Sequence, residues 1–129
     1  MKILYVNDND LAGRRFNGHD LQVMLNKNGI EAKQFVVSKA GDDENTLKLL
    51  KTEAEHFIRE KCKEFEDRIS MQSVIYPFGE LLGKAKEFKD ADIVHYHLIF
   101  NHFLSLFSFK KLTQSKPTVW SLHDPWALT

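Results

Sequence analysis

The 129-residue sequence has one cysteine, no excess of either charge and no long hydrophobic run. The single thiol, Cys62, excludes internal disulfides and a cysteine-based zinc site, which suits a reducing compartment. The sequence has 18 basic residues (Lys and Arg) and 18 acidic residues (Asp and Glu), so its net charge is zero. Because no excess positive charge attracts a nucleic-acid backbone, we expect no nucleic-acid partner. Since no apolar stretch reaches about 18 residues and MKILYV lacks the long apolar core of a signal peptide, we expect a soluble, cytoplasmic protein.

The length bounds the number of domains. About 129 residues can bury a single hydrophobic core, and the sequence contains no repeat, low-complexity segment or interdomain linker. We therefore expect residues 1–129 to form one domain. The final residues, TVWSLHDPWALT, end without a glycine, a cap or a polar tail, so we also expect this domain to be part of something longer.

Four apolar runs separated by helical stretches predict the strands of a parallel sheet. These runs cover residues 2–7, 32–37, 91–97 and 118–122. The connections between them are long enough for crossovers, which parallel pairing requires. The pattern predicts a Rossmann-like, three-layer α/β sandwich with a mainly parallel central sheet.

The segments between the predicted strands show the spacing of helices. Apolar spacing predicts a first helix from about Gly18 to a C-terminal cap at Asn28–Gly29. Residues 80–88 and 103–112 predict two further helices. Residues 73–78 are interrupted by a proline, which leaves an edge strand or an extended loop.

Residues 43–69 depart from this rhythm, because apolar residues recur there at alternating spacings of three and four. The pattern predicts one long amphipathic helix over residues 44–69, inserted in the fold and packed on the sheet by Leu47, Leu50, Phe57 and Phe65. The opposite face carries both charge signs, which favours a solvated surface over a partner site, and the stripe is short for a coiled coil. On this interpretation, Phe57→Ala costs about 3 kcal/mol.

The loop after the first strand, NDNDLAGRRFNGHD, contains the first candidate binding residues. Gly13 and Gly18 let the backbone approach a ligand, while Arg14 and Arg15 can bind phosphate oxygens. The spacing matches neither the dinucleotide fingerprint nor the Walker loop. An anion site and a plain glycine-containing turn both remain open.

Histidines form the second group of candidates. His95 and His97 alternate on one predicted strand and so share a face, with His102 nearby and His123 on another strand. Such a pair can bind a metal, but a histidine satisfied within the core is the better-supported interpretation, so we expect no metal. His97, at the end of its strand, is the one expected to reach a ligand.

The aromatic segment LIFNHFLSLFSFKK, residues 98–111, allows two interpretations. Aromatic residues beside Lys110 and Lys111 suit docking on a membrane surface. A helix packed on several sides is the alternative, and it is favoured for the phenylalanines that point inward.

The last strand runs directly into His123, Asp124 and Trp126. Ligand sites of open α/β sheets lie at the carboxyl ends of strands. A neutral imidazole there can hydrogen-bond a sugar hydroxyl, and a tryptophan suits an apolar ring surface. The alternative, in which His123 caps the strand through its backbone neighbours, stays open.

Three segments together carry a family resemblance: MKILYVN with its glycine-bearing loop, ADIVHYHLI, and KPTVWSLHDPWALT. They resemble the N-terminal domain of family 4 glycosyltransferases, most closely bacterial members that act on surface polysaccharides. The resemblance implies a GT-B architecture of two Rossmann-like domains and transfer from a nucleotide sugar with retention of configuration. It also implies no metal for the chemistry and no cofactor.

The resemblance assigns roles to residues of this chain. His123 would face the transferred sugar as the catalytic residue, and the Gly13 loop would lie near the donor diphosphate, although Ala12–Gly13 stands where many relatives have two glycines. The implied substrate-binding residues are Gly13, Arg14, Gly18, His97, Asp124 and Trp126. The groups that grip the donor belong to the C-terminal domain, so the fragment alone is expected to be inactive.

The implied partners are a nucleotide-sugar donor, a glycan or lipid-linked acceptor and the missing C-terminal domain, with peripheral association at the inner face of a membrane. Two other classes stay in view: a stand-alone flavodoxin-like or receiver-like module, and a non-catalytic interaction domain that uses the long helix. A receiver needs a phosphorylatable aspartate at the end of its third strand. Here the third main strand ends in His97.

Overall fold

Five parallel strands form one sheet in the computed structural model, which describes residues 1–123 and 125. The strands are β1 (Lys2–Asn9), β2 (Glu31–Ser38), β3 (Thr46–Lys48), β4 (Ile93–Tyr96) and β5 (Thr118–Trp120). Their order is β3-β2-β1-β4-β5, so β1 lies at the centre between β2 and β4. The parallel sheet with its connecting helices confirms the predicted α/β, Rossmann-like class.

Five helices connect these strands. They are α1 (His19–Lys27), α2 (Glu53–Arg68), α3 (Phe78–Lys84), α4 (Lys86–Asp90) and α5 (Leu106–Ser115). Helix α1 follows Gly18 and ends at Asn28 and Gly29, as predicted. Reciprocal capping boxes define the starts of α2, from Thr52, and of α5, from Ser105, because each cap satisfies backbone N–H groups that have no partner within the helix.

The two faces of β1 bury different chemistry. Leu4 and Val6 belong to the main hydrophobic core, which also contains side chains of α3, α4 and α5. Tyr5 and Asn7 alternate with them and therefore point to the opposite face. On that face α1 packs against β2 through polar groups, with His19 Nδ1 lying 3.3 Å from Gln34 Oε1. The polar face carries the candidate site.

The predicted helix over residues 44–69 is wrong in its first part. Residues 46–48 form β3, which pairs with β2, and the helix begins only after the Thr52 cap. Leu50 is fully buried in the core, whereas Phe57 and Phe65 are 63% and 51% exposed. The proposed packing stripe is therefore also wrong, because its first members lie outside the helix and its phenylalanines face away from the core.

Polar contacts attach α2 to the rest of the domain. Arg59 Nε donates to the His102 carbonyl at 2.7 Å. The buried Glu66 carboxylate accepts the backbone N–H groups of residues 73–75 at 2.6 to 3.0 Å. Burial alone would raise the pKa of Glu66, but these N–H donors lower it. Residues 73–77 consequently form a loop that leads into α3 at Phe78, which is the extended-loop alternative and not the edge strand.

Several predicted boundaries shift for local reasons. Residues 80–88 contribute to two helices, because Ala85 adopts an extended conformation between α3 and α4. Helix α5 starts at Leu106 instead of residue 103, since Ser105 is its N-cap. The strands predicted at 91–97 and 118–122 are shorter, and their last residues leave the sheet as loops.

The first prediction compares one buried and one exposed apolar residue. Leu50→Ala should lower the free energy of unfolding by about 2 to 5 kcal/mol, because Leu50 is fully buried. Phe57→Ala should change it by less than about 1 kcal/mol, because most of that ring is in water. Urea denaturation in dilute solution measures both values. A loss near 3 kcal/mol for Phe57→Ala would contradict the arrangement described above.

Candidate functional site

The carboxyl ends of β1, β4 and β5 meet at one edge of the sheet, because these strands are parallel neighbours. The glycine-bearing loop follows β1, residues 97–102 follow β4, and residues 121–123 follow β5. His97 contacts both flanking exits: it packs against Gly18 on one side and hydrogen-bonds His123 on the other. The fold therefore brings Gly18, His97 and His123 together.

Three imidazoles, His95, His97 and His123, form what we call the histidine cluster. His97 Nδ1 lies 2.9 Å from His123 Nε2, and His95 Nε2 lies 2.8 Å from the Ser121 hydroxyl oxygen. The ring centroids of His95 and His97 are 4.3 Å apart, so both residues share a strand face as predicted. The Tyr5 ring lies 5.1 Å from His95 and 5.8 Å from His97, and supports both.

Burial keeps the centre of the histidine cluster neutral. Desolvation, together with the neighbouring His95 and His123, lowers the pKa of His97 to about 4, although the Phe16 carbonyl favours its protonation. Burial and His123 also lower the pKa of His95. At neutral pH these rings are therefore hydrogen-bonding groups, each with one donor and one acceptor nitrogen, and not cations.

His97 Nε2 is buried and has no hydrogen-bond partner of good geometry among the described residues. The backbone of Gly18 lies close to this nitrogen and helps to enclose it. A Cβ atom added at Gly18 would lie 2.5 Å from His97 Nε2 and 2.9 Å from Tyr5 Cδ1, and Gly18 has a φ of 87°. Its role in the structure is to let the α1 start approach the histidine cluster.

Gly13 and Arg14 lie farther out on the same loop. Gly13 has a φ of 65° and open space around its α-carbon, and its carbonyl accepts the N–H groups of Phe16 and Asn17. Arg14 Nε lies 2.6 Å from Asp20 Oδ1, and the arginine side chain is 56% exposed. Gly13 therefore presents accessible backbone, while the charge of Arg14 is already partly balanced by Asp20.

Buried polar residues to which the sequence analysis gave no role organise this loop. Asn17 Nδ2 donates to the carbonyls of Asn9, Asp10 and Ala12 at 3.1, 3.0 and 2.9 Å, and Asn17 Oδ1 accepts the His19 N–H. Such side chain to backbone bonds satisfy carbonyl groups that have no strand partner where the chain leaves the sheet. The only local signal was the density of Asn and Asp in NDNDLAGRRFNGHD.

Asp10 joins the exits of β1 and β2. Its carboxylate accepts backbone N–H groups from Leu11, Ala40 and Gly41 at 2.8 to 3.0 Å. Burial would raise the pKa of Asp10, but these donors lower it, so the side chain is ionised at neutral pH. Asn7 makes the corresponding link to β4, because its Oδ1 accepts the Leu98 N–H at 3.3 Å.

A cavity of about 240 Å³ opens beside the histidine cluster. It is lined by Gln72, residues 97–101 and residues 120–123. Phe100 and Trp120 contribute aromatic rings, which meet edge to face at 5.6 Å. Because hydroxyl, amide and imidazole groups surround these rings, the cavity suits a small ligand with both polar groups and an apolar surface.

The remaining candidates divide into two groups. Asp124 and Trp126 lie outside the described residues. Within the aromatic segment, Phe103 is buried and Phe100 and Phe109 pack against the core, as the core interpretation expects, whereas Phe107 is 73% exposed.

No group of three or more His, Cys, Asp or Glu side chains among residues 1–123 and 125 is arranged to hold a metal ion. Within the same part of the chain, no helix has both the length and the apolar character needed to cross a membrane. Comparisons with protein-family models, curated proteins and solved structures found no match.

The second prediction compares two glycines that both have positive φ. Gly13→Ala should cost about 1 to 2 kcal/mol, which is the backbone strain alone. Gly18→Ala adds a collision with His97 and Tyr5 and should cost about 2 to 5 kcal/mol. Thermal and urea unfolding give the two values. Equal losses would show that the close approach at Gly18 does not exist.

The third prediction concerns pH. Since His97 has a folded-state pKa of about 4 and an unfolded value of about 6.5, the unfolded chain binds the extra proton between these pH values. The contribution of the neutral His97 side chain to the free energy of unfolding should be fully present above pH 6.5 and should decrease as the pH falls towards 4. His97→Gln should flatten this dependence, as measured by unfolding at pH 7 and pH 5. A His97 proton resonance that titrates near pH 6.5 would contradict the prediction.

Proposed function

We propose that the chain is the acceptor-side domain of a retaining GT-B glycosyltransferase. The enzyme would transfer a sugar from a nucleotide-sugar donor to a cell-surface polysaccharide or lipid-linked glycan. The observation that carries the proposal is the His97–His123 contact at the carboxyl edge of the sheet, beside the glycine-bearing loop and the cavity. The same residues belong to the segments that resemble family 4 glycosyltransferases.

The chemistry of the cavity supports a carbohydrate as ligand. Sugars present C–H faces that pack on aromatic rings and hydroxyl groups that need donors and acceptors. Trp120 and Phe100 supply ring surface, while Ser121 and Asn101 supply polar groups on the lining. The neutral His97 suits this ligand better than a phosphate, because an uncharged imidazole both donates and accepts hydrogen bonds.

His123 is the proposed catalytic residue. Its side chain is exposed at the edge, and its Nε2 is held by His97, which in turn lies against Tyr5 and His95. With Nε2 in this contact, we assign the hydrogen bond to the transferred sugar to Nδ1. A preorganised donor or acceptor of this kind acts on charge that develops in the transition state without further rearrangement.

The Gly13 loop is the proposed neighbour of the donor diphosphate. Open space around Gly13 leaves its backbone accessible, and Arg14 and Arg15 lie on the surface beside it. The Asp20 contact partly balances Arg14, so this loop offers a weak anion site by itself. A second, donor-binding domain would close over this edge and exclude water from the transfer step.

The fourth prediction tests the proposed half-site. The 129-residue chain should transfer no sugar from any of a panel of nucleotide sugars, because it supplies only one wall of the cleft. In the full-length enzyme that the proposal requires, His123→Ala should lower kcat about 100-fold while the fold stays intact. Product formation measured with a labelled donor gives both results.

His56→Ala is the matched control, since His56 is a partly exposed histidine on α2, away from the cavity lining. It should leave kcat unchanged. Turnover by the 129-residue chain alone would refute the half-site, and wild-type rates in His123→Ala would remove His123 from the catalytic machinery.

A further inference from the structure

Helix α2 carries an apolar surface that the described chain leaves exposed. Phe57, Ile58, Phe65 and Ile69 are 63%, 44%, 51% and 44% exposed. At about 100° per residue, Ile58, Phe65 and the capping residue Ile69 lie within about 40° of one another around the helix axis, and Phe57 lies about 80° to one side of Phe65. We refer to these four residues as the α2 apolar face.

The side of α2 next to the α2 apolar face attaches the helix to the domain. Arg59 and Glu66 make its hydrogen bonds to residues 101–102 and 73–75, and Cys62 packs against the core. The α2 apolar face is therefore not needed to position the helix within one chain. Large apolar side chains gathered in water are the typical mark of an interaction site.

The charges around the α2 apolar face argue for a protein partner and against a lipid surface. Helices that lie on anionic membranes carry a polar face rich in Lys and Arg. The exposed rim of α2 instead includes Glu53, Glu60 and Glu64 together with Lys61 and Arg68. This mixed, carboxylate-rich rim would be repelled by an anionic bilayer and can be matched by a surface that carries both signs.

We propose that the partner is a second copy of this chain, bound through an antiparallel pairing of the two α2 helices. Glu53 lies in the first turn and Arg68 in the last turn of α2. Antiparallel pairing centred between Glu60 and Lys61 places Glu53 opposite Arg68 of the second copy, and Glu60 near Lys61 of the second copy, beside the Glu64 that Lys61 contacts within its own chain. Parallel pairing would place like charges together, so the charge order selects the antiparallel arrangement.

The available area fits a modest dimer. Four apolar side chains exposed by about half offer roughly 350 Å² per copy. A standard interface buries about 800 Å² per partner. The remaining area would come from groups next to the α2 apolar face, namely the hydrocarbon stems of Lys61 and Arg68 and the charged rim. The expected dimer is therefore concentration-dependent rather than permanent.

Sedimentation equilibrium over a concentration series tests the proposal with the 129-residue chain. The wild type should show a monomer–dimer equilibrium, and Phe65→Asp should weaken it by more than about 30-fold, because a charge replaces a central aromatic. Phe107→Asp is the matched control, since Phe107 is exposed to 73% on α5, and it should dimerise as the wild type does. Circular dichroism verifies that each variant is folded.

Charge reversal tests the orientation. Arg68→Glu should weaken the dimer, and the double variant Glu53→Arg, Arg68→Glu should restore it. The proposal would be overturned if the wild type is monomeric at every concentration, if Phe65→Asp leaves the dimer unchanged, or if Phe107→Asp weakens the dimer equally. The antiparallel pairing would be overturned if the double variant fails to restore the dimer. Flotation with phosphatidylglycerol vesicles that Phe65→Asp abolishes would show that the α2 apolar face binds lipid instead.

Discussion

The exit of β1 from the sheet is the constraint on which the site depends, because the backbone leaves the strand there while it is still buried. The buried side chains of Asn7, Asp10 and Asn17 hydrogen-bond to its peptide groups, which no longer have partners in the sheet. Those bonds determine the path of the loop to Gly18. That path decides how closely α1 approaches His97.

The same burial determines the electrostatics of the edge. A charged imidazole beneath the loop would lose its hydration without gaining an anionic partner, so His97 stays neutral and its pKa falls to about 4. Its contact with His123 therefore joins two hydrogen-bonding groups and does not form an ion pair. An edge of this kind can exchange hydrogen bonds with hydroxyl groups, and this is the ligand chemistry that our proposal requires.

Helix α2 shows that an amphipathic pattern need not indicate the face that packs. Its attachment depends on Arg59 and on the buried Glu66, whose oxygens satisfy backbone N–H groups of the following loop. A buried carboxylate with several donors is a strong and directional contact. It fixes the rotation of the helix and leaves Phe57 and Phe65 facing outward.

The sequence by itself determined the features that depend on neighbours along the chain. Strand periodicity gave four of the strands and the shared face of His95 and His97, and the bounds of α1 followed from Gly18 and from Asn28–Gly29. Tertiary structure alone decided that residues 46–48 pair as a strand and that Gly18 is needed for its approach to His97. It also decided which side of α2 packs. Periodicity reports that a face exists, but the groups that cover it come from distant parts of the chain, so their contacts cannot be derived from local spacing.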